Sequence, residues 1–138
     1  MLGYLDFMFL SYSGRIGRLA YWVSYFVLGL IQIGVVVLML WLAGGTIAKL
    51  MALGPGHHQL PPALAQDLMQ HIVWPICIVF ALFLWPTYAI ATKRWHDRGK
   101  SGWWSLIGFV PVIGGLWMFI ELGFLGGEPG TNDYGYRA

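Results

Sequence analysis

Residues 93–104, KRWHDRGKSGWW, hold the densest set of charged and polar side chains in the chain. Their end, Gly99-Lys100-Ser101, matches the close of a phosphate-binding loop. That loop requires G-x-x-x-x-G-K-[ST] between a strand and a helix. Here the first glycine position is Arg94, and an uncharged apolar run precedes it. Nucleotide binding therefore fails on spacing and on context. Adjacent residues on a helix point about 100° apart, so His96 and Asp97 do not converge as an acid–base or metal pair. His57, His58 and His71 lack the Cys or acidic companions that complete a coordination set. No Ser or Cys nucleophile has a supporting base. The expectation is a chain without enzymatic activity, metal or cofactor, and without a nucleic-acid partner.

The same stretch suits a helix–turn–helix. Lys93 and Arg94 oppose the negative pole at a helix C-terminus. Lys93 and Asp97 are i,i+4 neighbours, as are Arg94 and Arg98. Gly99 can take the left-handed conformation that ends a helix. Ser101 then caps the next one, with Gly102 beside it and Trp103 and Trp104 seating it at a lipid boundary. Free N–H groups at that helix start, with Arg98 and Lys100 alongside, would favour an anion. Arg15 and Arg18 are i,i+3 and share a face. The six basic residues Arg15, Arg18, Lys93, Arg94, Arg98 and Lys100 form a candidate belt for anionic lipid or an acidic partner. The bland alternative is that they only set topology.

The elements that must carry these residues follow from composition. Of 138 residues, 58% are hydrophobic and only 10% charged, against about a quarter charged in soluble domains. Eight Trp and eight Phe exceed what so short a chain can hide from water. Three apolar stretches, at about 19–42, 72–92 and 103–125, each reach the roughly 20 residues a membrane helix needs. Aromatic residues mark their edges: Tyr21, Trp22, Trp41, Trp74, Tyr88, Trp103 and Trp104. The first apolar core exceeds the 7–15 residues of a cleaved signal. The single cysteine, Cys77, lies in an apolar run. The expected fold is all-α, one integral membrane helical bundle of three spans. Residues 1–12 add a short interfacial helix, with Leu2, Leu5, Phe9 and Tyr12 at helical spacing.

Six of the eight basic residues fall before the first stretch or between the second and third. The positive-inside rule makes that side cytoplasmic. Three spans then put the N-terminus inside and the C-terminus outside. Gly108, Pro111, Gly114 and Gly115 interrupt the third stretch. They signal either a kink, the commoner outcome and the one expected, or the bend of a re-entrant hairpin. In a straight helix Glu121 lies eighteen residues beyond Trp103, about 27 Å away at the far interface. Residues 43–71 read as a turn-rich loop in which Pro61 and Pro62 open a helix running into the second span. Residues 126–135, GGEPGTNDYG, read as a turn or tail.

Three motifs carry a family resemblance. Tyr12-Ser-Gly-Arg15-Ile-Gly-Arg18-Leu-Ala-Tyr-Trp22 resembles the opening G-R-x-x-R-x-x-[YF]-W of the domain-of-unknown-function 805 family. Arg94 to Trp104 is similar to its central R-x-H-D-x-G-K-S-G-W-W, and Gly127 to Gly135 to its terminal G-x-x-G-x-N-x-[YF]-G. The loop at 43–71 is longer than compact members suggest. The resemblance implies a small bacterial inner-membrane protein and supplies neither an activity nor a catalytic residue. The combined expectation is a multi-pass inner-membrane component with a cytoplasmic N-terminus. Its partners would be membrane lipids, further copies of itself or another membrane protein. A small oligomeric transporter or channel is the rival.

Overall fold

The computed structural model describes residues 2–53 and 59–136. His57 and His58, named above for metal binding, lie outside them. Among the described residues the regular structure is helical; residues 11–17, 98–101 and 124–136 are turns and irregular chain, with an isolated bridge between Asn132 and Gly135. Helix α1 (Leu2–Leu5) continues as a wider π turn over Asp6–Leu10. Next come α2 (Arg18–Leu42) and α3 (Gly44–Ala52). Then α4 (Pro62–Leu68) passes through a π turn at Met69–Val73 into α5 (Trp74–Asp97). A 3₁₀ helix spans Gly102–Phe109, and α6 runs from Ile113 to Gly123.

The chain packs as two units. The second, Gly29–Phe83, contains a helix where a loop is expected. Gly44 and Gly45 open α3, because the following Thr-Ile-Ala-Lys-Leu-Met-Ala continues with favourable helix formers and the N–H groups of Thr46 and Ile47 bond to Ala43 O at 2.9 and 3.1 Å. Helix α3 packs on α4, where Lys49 Nζ meets Asp67 Oδ2 at 2.7 Å on the surface. Pro62 sits in the first turn of α4, as its fixed φ favours. From there helical backbone continues without a break to Asp97, 36 residues in all.

The first unit comprises residues 1–28 and 84–138. Its core is the end of α5. Residues 89–95 are buried consecutively, so every face of that turn is covered by other parts of the chain. Ile16, Ile90, Trp95 and Leu122 supply the apolar part. Arg15, Lys93, Arg94 and Asp97 are equally inaccessible, which no amphipathic pattern announces.

The expected third span is not one helix. After the 3₁₀ helix, Pro111, Val112 and Ile113 form a γ-turn: Val112 has φ 64° and ψ −61°, and Ile113 N–H bonds to Pro111 O at 2.7 Å. That turn is rare and costs strain in a β-branched residue. It reverses the chain, so α6 packs back on the 3₁₀ helix. Gly114 makes the return possible, since a Cβ there would lie 1.8 Å from Ile107 O. With eleven residues, α6 is about 16 Å long, half a hydrocarbon core. Pro111 and Gly114 thus make a hairpin, not a kink, and Glu121 is brought back to Lys100 instead of standing at the far end.

Candidate functional site

Around the α5 terminus the local geometry follows the motif. Gly99 has φ 67°. Its N–H bonds to His96 O at 3.0 Å while Lys100 N–H bonds to Trp95 O at 2.9 Å, the paired bonds of a Schellman cap. Ser101 caps the 3₁₀ helix, its Oγ accepting from Trp103 N–H at 3.4 Å. Gly102 begins that helix. Trp103 and Trp104 are exposed; Trp104 lies 6.1 Å from the buried Trp95 ring, and Lys100 Nζ sits 5.2 Å from the Trp104 ring and 5.5 Å from that of Trp95.

The six belt cations divide into two groups of three. Arg15, Lys93 and Arg94 are completely buried. Arg15 donates to the carbonyls of Glu128 and Gly130, each at 2.6 Å, to Gly135 O at 3.1 Å, and to Asp97 Oδ1 at 3.2 Å. Arg94 donates to Leu122 O at 2.8 Å, to Leu125 O and to Asp97 Oδ2. Asp97 therefore joins Arg15 and Arg94 (i,i+3), and the expected i,i+4 pairing with Lys93 is replaced. Lys93 turns instead to two carbonyls of the π turn, Phe7 O and Met8 O (2.7 Å), and to Ser11 O just beyond it at 2.6 Å. A buried cation needs such partners, because desolvation otherwise outweighs its attractions. These three staple the N-terminal and C-terminal segments to α5 and present no surface to a lipid.

The other three keep accessible surface. Arg18 is exposed, with Nη1 donating to Phe124 O at 3.1 Å. Arg98 and Lys100 are partly exposed and share Glu121 Oε1, Arg98 at 3.5 Å and Lys100 in a short contact. Trp117 Nε1 holds the second oxygen of Glu121 at 2.5 Å.

The sequence reading gave the C-terminal stretch no site role. Asn132 Nδ2 donates to His96 O at 2.9 Å and Glu128 Oε2 at 2.8 Å, while Asn132 Oδ1 accepts from Tyr134 N–H at 3.0 Å. Glu128 N–H bonds to Asp97 O at 2.8 Å. The Tyr134 ring stacks on His96 at 3.8 Å and 4°, and His96 Nδ1 lies 3.1 Å from Gly14 O. The dense turn formers were the available signal: they shape a strap whose carbonyls face inward.

In the two long helices, by contrast, the most apolar 18-residue windows are only 6% buried. A soluble core helix would be mostly covered; here the greasy side chains, such as Phe26, Ile33, Trp41 and Leu82, face outward. That defines an all-helical membrane protein with two helices long and apolar enough to cross a bilayer. The chain belongs to the family described as "Protein of unknown function (DUF805)", whose profile matches residues 9–136. The "Uncharacterized protein YiiR" of Escherichia coli is 30% identical over 149 aligned positions, covering 91% of this chain and 84% of that protein. "Inner membrane protein YhaI" of the same organism is 43% identical over 58 positions, covering 41% of this chain and 47% of that protein. "Inner membrane protein YhaH" is 38% identical over 50 positions, covering 36% and 40%. No solved structure matches.

Proposed function

We propose that this chain is a non-enzymatic component of the bacterial inner membrane whose surface cations, Arg18, Arg98 and Lys100, gather anionic lipid headgroups on the cytoplasmic side. The observation that carries the reading is the division of the belt. Three cations are used up inside the fold, and three retain accessible surface, two of them, Arg98 and Lys100, sharing Glu121. Relatives named as inner membrane proteins support the location. The topology that fits is two crossings and a re-entrant hairpin. Supporting it, Glu128 bonds to Asp97 and Arg15 to Gly130, which brings the C-terminal strap to the cation-rich end. Both termini would then be cytoplasmic. The rival transporter reading leans on Glu121 as an ion relay, and its pairing with Lys100, Arg98 and Trp117 weighs against that.

The lipid reading is tested in nanodiscs of mixed phosphatidylglycerol and phosphatidylcholine, with mass spectrometry of retained lipid. The wild type is expected to enrich phosphatidylglycerol, and Arg18→Gln to lower that enrichment about fivefold, the worth of one surface cation. Unselective retention by the wild type overturns it. The topology is tested on a Cys77→Ala background with an impermeant maleimide applied from the periplasmic side. Gln59→Cys should label and Tyr136→Cys should not; labelling of Tyr136→Cys refutes the re-entrant reading.

A further inference from the structure

Between Tyr25 and Trp41, Gln32 is the one polar side chain of α2. It lies ten residues beyond Trp22 and nine before Trp41, about 15 and 14 Å along the helix axis. Both tryptophans are exposed and suit the two headgroup belts. Gln32 therefore sits near the bilayer midplane.

The Gln32 amide offers two N–H groups and a carbonyl oxygen. Among the described residues none hydrogen-bonds to it. Hydrocarbon supplies no substitute, so an amide left unpaired there is costly. Its own unit has little to give. The part of α5 in that unit is Trp74–Phe83. Beyond the terminal Trp74 its one polar side chain is Cys77, which is exposed and only a weak donor.

Packing around Gln32 is also incomplete. Gln32, Val35, Val36 and Met39 share one helical face, and each is only partly covered. On α5 the corresponding strip is Pro75, Ile76, Val79 and Phe83, with Val79 buried and the other three partly covered. The remaining circumference of α2 is open: Leu30, Ile33 and Val37 are each more than half exposed. Two long helices cannot enclose a core between them, whereas four can.

We infer that the second unit pairs with a second copy of this chain, Gln32 meeting the partner's Gln32 across a two-fold axis along the membrane normal. A copy inserted in the same orientation sets its own Gln32 at the same depth. Each amide N–H then donates to the other's carbonyl oxygen, and both amides are satisfied. A foreign helix would need a polar group of its own at that level. The strips that one copy leaves part-covered become the core of a four-helix arrangement. The inference is independent of the headgroup belt, in which Gln32 takes no part.

Full-length protein carrying Cys77→Ala and Tyr136→Cys is labelled with donor and acceptor dyes and reconstituted in phosphatidylcholine vesicles. Energy transfer is followed over a range of lipid-to-protein ratios. The protein with Gln32 intact is expected to follow a monomer–dimer isotherm. Gln32→Leu removes the amide and suits lipid; it should weaken association about tenfold while unfolding at no lower temperature. Oxidative cross-linking in native membranes, again on Cys77→Ala, checks the face. Val36→Cys, one turn from Gln32, should give a covalent dimer, and Leu30→Cys on the far side should not. A protein with Gln32 intact that stays monomeric at every density overturns the inference, whether its true partner is another protein or none. So does an unchanged isotherm for Gln32→Leu, or a dimer formed through Leu30→Cys in place of Val36→Cys.

Discussion

Asp97→Asn tests whether an ionic core holds the first unit together. Each Asp97 carboxylate oxygen faces a guanidinium, Oδ1 toward Arg15 at 3.2 Å and Oδ2 toward Arg94, and all three side chains are inaccessible to solvent. Asparagine preserves the shape and removes the charge, so two buried cations lose the carboxylate between them. Removing one member of a buried ion pair costs about 3–5 kcal/mol. The low end applies here, because the carbonyls of Leu122, Leu125, Glu128, Gly130 and Gly135 continue to receive the same guanidinium groups. A loss of about 3 kcal/mol, at roughly 3 °C per kcal/mol for a chain of this size, lowers Tm by roughly 10 °C. Tryptophan fluorescence during thermal unfolding in detergent reads it, since Trp95 lies in the same core. Adding Arg15→Gln to the variant should cost less than the two single losses together, by about 1–3 kcal/mol of coupling. A Tm for Asp97→Asn within about 2 °C of wild type, or strict additivity in the double variant, refutes the argument.

Three further outcomes follow from particular contacts. Gly114→Ala should destabilise by about 3 kcal/mol, because the new Cβ would overlap Ile107 O at 1.8 Å; an unchanged unfolding temperature would mean the hairpin is not packed as described. Lys93→Met should make tryptic cleavage at Arg15 about tenfold faster by freeing the carbonyls of Phe7, Met8 and Ser11, a step of about 1.5 kcal/mol; wild-type cleavage kinetics would contradict it. Lys49→Ala should leave Tm within about one degree, because its pair with Asp67 lies on the surface, where such contacts contribute little.

Features set by neighbours in the chain were legible in the sequence. The two long helices were visible as uncharged runs, and α2 spans Arg18–Leu42 against an expected 19–42. Pro61 and Pro62 marked the start of the helix that runs into α5. Gly99 and Ser101 took the conformations their types favour. Long-range contacts were not legible. Arg15 reads as a topology signal because its partners lie 82 to 120 residues away, and nothing local distinguishes it from Arg18. Glu121 reads as a far-side carboxylate only if the stretch from Trp103 is straight. Pro111 and Gly114 admitted both a kink and a turn, and the contact with Ile107 decided between them.

The sequence by itself determined that this chain is helical and made for lipid, because hydropathy and span length depend only on composition and rise per residue. It also determined that α5 stops after KRWHD and that a new helix starts at once, because a left-handed glycine and a serine cap act within a few residues. Tertiary structure alone decided which charges are internal. Burying a cation requires acceptors already in place, and here they are the carbonyls of a C-terminal strap and an N-terminal turn. Only when those distant segments close around α5 does the belt of six separate into three structural cations and three that keep accessible surface.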